Sequence, residues 1–272
     1  MKGVVTLKYH DTGIDSLSGK KHFHDSELEI LHIISGSGVM MIKDKLYSLS
    51  DNTVFFVCGR DAHFSSPQIP EEYIRNKIVF SERLLCSLCE NLGAKSVLDG
   101  LFYSGKGAVR LSSESSMHID ECFLKITESQ NQREEIRGMQ FASNIFSILI
   151  TASMQNNNAV PDIKNKISDV IGYINRNISE KLTLDSVANA VHVSKYYLSH
   201  TFKNTVGMTV FEYITFTRIS KAKQLLRETD DSITEICFAA GFDNLSYFGK
   251  VFREYEGTTP GTYRKSIRRI KS

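Results

Sequence analysis

LTLDSVANAVHVSKYYLSHTFK, from Leu182 to Lys203, and SITEICFAAGFDNLSYFGKVFREYEGTTPGTYRK, from Ser232 to Lys265, follow one plan twice. In the first stretch Leu184, Val187, Ala188 and Val191 carry helical apolar spacing, a short turn follows, and Ser194 is placed to cap the next helix. In the second, Ile233, Ile236, Cys237 and Ala240 share a face, Gly241-Phe242 make the turn, and Asn244 is the next cap. Ala188 and Ala239-Ala240 are small enough for two helices to cross closely, and Gly241 permits a tight turn that a β-branched residue would resist. Both units close on the same kind of pair, Phe202-Lys203 and Phe252-Arg253. The pattern predicts helix-turn-helix units at 182–204 and 232–256, joined by a helix over 210–227. At 1.5 Å per residue that joining helix spans about 27 Å, a length suited to holding two recognition helices about one DNA turn, ~34 Å, apart.

Charge supports this reading once the chain is divided. The whole chain has a net charge of only +2, but residues 161–272 hold 17 Lys and Arg against 12 Asp and Glu, and residues 1–160 hold 16 against 19. The basic part is the part with the paired units, as a surface facing phosphates requires. From about Asp162 to Ile270 the sequence resembles the AraC/XylS family of bacterial transcription regulators. The resemblance rests on Gly207-Met208, Tyr213, Arg218, Ala222, Leu225-Leu226, Gly241-Phe242, Tyr247-Phe248, Phe252, Thr259-Pro260 and Tyr263-Arg264.

In a helix-turn-helix the second helix enters the major groove. In SKYYLSHTFK, Leu198 and Phe202 fall on the inner face, leaving Lys195, Tyr196, Ser199, His200 and Lys203 outside. The resemblance implies that Tyr196, Ser199 and His200 reach base edges, while Lys195 and Lys203 touch phosphate. In the second unit Phe248 and Phe252 turn inward, and Ser246, Tyr247, Lys250 and Arg253 are the candidates, Lys250 standing where the family offers a long basic side chain to a base. Neither recognition helix has Gln or Asn on its exposed middle turn, so shape, thymine-methyl and phosphate contacts are expected to carry much of the specificity. Because the two units differ in sequence, a non-palindromic site is expected.

Upstream the pattern changes to short β-branched or aromatic runs punctuated by Gly, Asn, Asp and Ser: LEILHIIS, GVMMIKD, KLYSLS, NTVFFVC and RNKIVFS. These predict an antiparallel barrel or sandwich. Helices are expected over 82–92, 114–130 and 135–155, the last with Ile136, Met139, Ile145, Ile148, Leu149 and Ala152 as an apolar stripe. The polar run Gln155 to Asn158 before Pro161 reads as a linker, and Ile163, Ile167, Val170, Ile171 and Ile174 as a further helix. The fold class expected is therefore α+β. A cupin-like antiparallel β-barrel with flanking helices occupies 1–155, a linker 156–161, and an all-α DNA-binding module 162–272.

The stretch from Gly19 to Gly36 holds His22, His24 and Glu29, with His63 following. In spacing it looks like a cupin metal motif, and imidazoles with a carboxylate suit Fe, Mn, Ni or Zn. The second half of that motif is degraded in VCGRDAH, which lacks a proline, and the family resemblance implies hydrogen-bonding groups at a barrel mouth. No cofactor, no metal and no catalysis are expected; His24, Glu29 and His63 are expected to anchor a small-molecule effector, a sugar or other metabolite, with Phe55, Phe56 and Phe64 among the walls. A metal-dependent cupin enzyme with a DNA-binding tail, and a constitutive DNA-binding protein, are the competing readings. Cys86-Ser87-Leu88-Cys89 sits on an apparent helix with no second ligand pair, so its thiols are expected to pack, and five scattered cysteines suit a reducing compartment. No window approaches the roughly 18 apolar residues of a membrane span, and the opening residues lack a signal-peptide pattern. A cytoplasmic regulator is expected, an activator in most of the family, with double-stranded DNA, the effector, RNA polymerase and a second copy of itself as partners, and no membrane.

Overall fold

The computed structural model describes residues 4–12, 27–103, 107–155 and 158–271. They fall into two compact units, with the boundary between Ile163 and Lys164. In the first unit, strands β1 (Val4–Asp11), β2 (Glu27–Ser35), β3 (Gly38–Ile42), β4 (Lys45–Leu49), β5 (Thr53–Cys58), β6 (His63–Pro67), β7 (Ile74–Ser81) and β8 (Ala108–Arg110) pair antiparallel in two sheets. Their orders are β1-β7-β2-β5-β8 and β4-β3-β6. Helices α1 (Glu82–Asn91) and α2 (Lys95–Leu98) lie between β7 and β8, and α3 (Ser113–Glu128) and α4 (Glu134–Met154) follow β8.

Alternation along the strands divides the larger sheet between two cores. Leu28, Ile30, Val54, Phe56, Ile78 and Phe80 face the helices and pack with Phe123, Phe141, Ile145 and Ile148. Leu31, Ile33, Phe55 and Val57, their alternates, share an interior with Met40, Ile42, Tyr47 and Leu49 of the smaller sheet. The antiparallel β layer with flanking helices is thus as expected, while β1, β6 and β8 add strands that the sequence pattern did not single out.

Two expectations are displaced. Val160 is buried in the interior core, its N–H bonding Ala108 O at 3.0 Å, and Ile163 N–H bonds Leu46 O at 2.6 Å. Residues 158–163 therefore cover the first unit, where a linker over 156–161 was read, and Ile163 lies outside the next helix. The apolar stripe assigned to α4 also splits: Ile145, Ile148, Leu149 and Ala152 are buried, but Ile136 and Met139 lie on the opposite side with Ile150 and Met154, all four exposed.

The second unit is helical: α5 (Lys166–Arg176), α6 (Leu184–Ala190), α7 (Lys195–Val206), α8 (Val210–Glu228), α9 (Ile233–Ala239), α10 (Leu245–Glu256) and α11 (Pro260–Lys271). Capping boxes start α5, α6, α8 and α9 at Asn165, Thr183, Thr209 and Ser232, each satisfying backbone donors that would otherwise lack partners.

Candidate nucleic-acid interface

Each helix-turn-helix is built by a cap and a buried aromatic face. Ser194 accepts a hydrogen bond from the Tyr197 N–H at 3.1 Å to start α7, and Asn244 Oδ1 accepts one from the Tyr247 N–H at 2.8 Å to start α10. Leu198, Phe202 and Val206 anchor α7, while Phe248, Val251 and Phe252 anchor α10. Phe202 meets Tyr213 of α8 edge-on at 5.6 Å, and Phe252 meets Tyr263 of α11 at 5.5 Å. Both helices end on a left-handed glycine, Gly207 and Gly257.

This packing leaves one face of each recognition helix open. On α7, Lys195, Tyr196, Ser199, His200 and Lys203 are all exposed, as are Ser246, Tyr247, Lys250 and Arg253 on α10. All nine residues named from the sequence thus lie on the two open faces. Tyr196 and His200 stack with ring centroids 6.0 Å apart, presenting one flat apolar surface, and Asn204 bonds the His200 ring at 3.3 Å. Lys195 is held by Asp185 of α6 at 2.6 Å, which directs its charge beside the turn. Lys250 and Arg253 line an open cleft of about 630 Å³ with Gly249, Glu254, Thr259 and Pro260. Lys250 makes only a 3.9 Å approach to Glu254, with its side chain 75% exposed.

In the first unit the interior holds a buried charge cluster. Glu29 Oε2 receives Lys77 Nζ at 2.9 Å and His63 Nε2 at 3.3 Å, while His63 Nδ1 contacts Asp61 O at 2.8 Å. Burial pushes the Glu29 carboxyl up, but Lys77 and His63 outweigh it and hold the group well below the usual carboxylate range. Burial opposes the charged form of His63, yet Glu29 carries its pKa above the ordinary value. Glu29 and His63 are therefore brought together as expected; His22 and His24 lie outside the described residues. Lys77 was not singled out in the sequence, since a lysine in RNKIVFS reads as a solvent-facing strand residue. Two of the three expected wall residues face elsewhere. Phe56 belongs to the helix-side core, and Phe64 pairs with Met41 in register, on the face opposite His63. Phe55 alone lines the interior, because side chains alternate along each strand. Among the described residues, no group of three His, Cys, Asp or Glu stands in position to hold a metal ion.

Residues 7–146 match the AraC-like ligand binding domain, and residues 187–266 match a helix-turn-helix domain. The chain belongs to the AraC/XylS family of transcriptional regulators. The chain is 40% identical over 93 residues to the bifunctional transcriptional activator/DNA repair enzyme AdaA of Bacillus subtilis, covering 34% of this chain and 44% of that protein. It is 36% identical over 99 residues to the melibiose operon regulatory protein of Escherichia coli K12, covering 36% of this chain and 33% of that protein. The chain thus matches less than half the length of either relative. Identity of 25% to the transcriptional activator RhaR of Enterobacter sp. (strain 638) extends over 92% of this chain and 88% of that one. Among solved structures, the C-terminal domain of AraT from Geobacillus stearothermophilus is 34% identical, covering 38% of this chain and 86% of that one, with a TM-score of 0.37. As an AraC-family regulator the chain combines an N-terminal ligand-binding domain with a DNA-binding helix-turn-helix module, and no described helix is long and apolar enough to cross a membrane.

Proposed function

We propose that this regulator binds a bipartite, asymmetric DNA site and activates a metabolic or transport operon when a small-molecule effector, a sugar or other metabolite, occupies the N-terminal unit. The observation that carries this reading is the pair of recognition helices, each with a buried aromatic face and an open face, in one helical module. Tyr196, Ser199, His200 and Lys250 are assigned to bases and Lys195 and Lys203 to phosphate, with Ser246, Tyr247 and Arg253 as further candidates for DNA contact. The name of one relative, the transcriptional activator RhaR, supports activation, and that of another, the melibiose operon regulatory protein, supports operon control. Working in the cytoplasm, where the DNA is, the regulator would recruit RNA polymerase, and the exposed side of α4 would pair two copies.

Glu29 and His63 are proposed as the polar anchors for the effector, joined by Lys77, with His24 as a further anchor. The metal-dependent enzyme reading is disfavoured by Lys77, whose ammonium sits on the Glu29 oxygen that a cation would need. No cofactor is proposed. A ligand exerts control only if it prefers one arrangement of the chain over another.

Random-duplex selection with the full chain at moderate salt tests the reading. Enrichment of two unlike half-sites about one helical turn apart is the expected result. Failure of the full chain and of residues 161–272 alike would overturn it. Elemental analysis showing equimolar retained metal would restore the enzyme alternative, and a small-molecule panel that leaves the melting temperature unmoved would favour constitutive binding.

A further inference from the structure

The two DNA-reading units are tied together by more than the helix between them. Val210, Tyr213 and Ile214 of the first half of α8 are buried, Tyr213 meeting Phe202 of the first helix-turn-helix, and Tyr213 Oη donates to Asn175 Oδ1 at 3.1 Å. The second half packs into the second helix-turn-helix through Ile219, Ala222 and Leu226. Between and around these anchors α8 carries two side chains that bond its own backbone. Thr215 and Ser220 turn their hydroxyls back onto the carbonyls of Phe211 and Phe216, both at 2.9 Å, a bonding pattern that bends helices. A bend there would shift one helix-turn-helix against the other.

A second connection joins the same two helix-turn-helix motifs. The segment 178–180, three residues before the cap of α6, runs against the α9–α10 turn. Arg218 Nε donates to Ile178 O at 3.1 Å and Nη2 to Glu180 O at 2.7 Å, with the guanidinium 5.9 Å from the centre of the Phe242 ring. Ser179 Oγ donates to Ala239 O at 3.1 Å and accepts from Lys221 Nζ at 2.5 Å. Two cations thus converge where α5 and α9 end, the ends that attract positive charge. The approach is so close that a Cβ on Gly241 would lie 2.2 Å from Ile178 O, and Gly241 adopts φ +96°.

We infer that this seam of Arg218, Ser179 and Gly241 is a positioning device that fixes the separation and rotational phase of the two recognition helices, and so sets which half-site spacing the regulator accepts. The inference rests on the reading that both units contact DNA. Neither Arg218 nor Ser179 need touch DNA for this role. Their effect is on the geometry of the pair: one inserted base pair moves a half-site by about 3.4 Å and turns it by about 34°, a mismatch that a rigid pair cannot follow and a loosened pair can.

The test uses the full chain and duplexes carrying the two selected half-sites at the selected spacing, with one base pair inserted, and with one removed. The wild type should bind the selected spacing at least tenfold more tightly than either altered one. Arg218→Gln and the milder Ser179→Ala should cut that preference to threefold or less, leaving the affinity for a duplex with one half-site unchanged. Thermal melting establishes that the variants fold; should Arg218→Gln fail, Ser179→Ala and Lys221→Met carry the test. Folded variants that keep the wild-type preference overturn the inference, as does an equal loss at every spacing, which marks a merely structural role. A wild type that enriches one bipartite site yet accepts all spacings alike overturns the seam and leaves the regulator reading standing; a wild type that enriches no site overturns both.

Discussion

Lys250 is a long cation on the open face of α10, three-quarters exposed and loosely approached by Glu254, so little holds it back from a base edge. Replacing it with alanine should weaken a cognate site by ~1–3 kcal/mol and hardly change non-specific binding. Titration of cognate and scrambled duplexes checks this, and an equal loss on both would move Lys250 to the phosphate contacts. His32 makes the opposite case, a polar group with no route to solvent. It is fully buried, bonds Ser116 Oγ at 2.8 Å and lies 3.5 Å from Asn76 Nδ2, while Asn76 in turn donates to Asp120 at 2.7 Å. Burial lowers its pKa to about 4, against an attractive effect of Asp120 that only partly offsets it. The unfolded chain therefore takes up this proton first. Stability from His32 is complete above the ordinary pKa of about 6.5 and is lost as pH falls toward 4, by up to about 3 kcal/mol. His32→Gln should flatten the melting temperature between those pH values, and an unchanged slope would remove His32 as its source. Neither His32 nor Lys77 could be read from the sequence as buried, because a polar residue inside an apolar run is assigned to the wet side of a strand until its neighbours are known.

At the level of elements, the sequence was most legible where one residue performs one local task. Ser194, Asn244 and Gly241 announce their caps and turn because few side chains satisfy free N–H groups or tolerate positive φ. Strands β1, β6 and β8 were not singled out for the converse reason. HFSSP has weak β preference and becomes a strand because β3 offers it an edge to pair with, a fact that lives in the partner and not in the segment. The glycines of the second unit turn this contrast into a prediction. Gly249 lies inside α10, where an added Cβ meets nothing within 4 Å, so Gly249→Ala should stabilise the module by about 0.5–1 kcal/mol. Gly241→Ala meets Ile178 O and a positive φ, and should cost about 2 kcal/mol or more. Thermal denaturation followed by helical circular dichroism ranks the two; equal effects would mean that the seam yields freely to a methyl group.

Across the whole molecule, composition divides the labour: the basic half holds the DNA-reading helices, and the acidic half holds an interior whose charges are paired within it. What composition does not show is which apolar residues are left over. The sequence placed Ile136 and Met139 with the buried stripe of α4, whereas the structure groups them with Ile150 and Met154 on the outer side, at spacings of three, eleven and four residues. The row is apolar surface that the described residues leave exposed, while α4 fills its inner face with Phe141, Ile145 and Ile148. If a second copy covers it, the wild type should sediment at twice 30.7 kDa, and Met139→Glu with Ile150→Glu should sediment as a monomer. The DNA consequence separates assembly from folding. On a duplex with two tandem sites the dimer gains from effective concentration, so the double variant should lose tenfold or more there, yet match the wild type on a duplex with one site. A double variant that still sediments as a dimer would show that the outer face of α4 is not where two copies meet, and a loss on the single site as well would trace the defect to the fold.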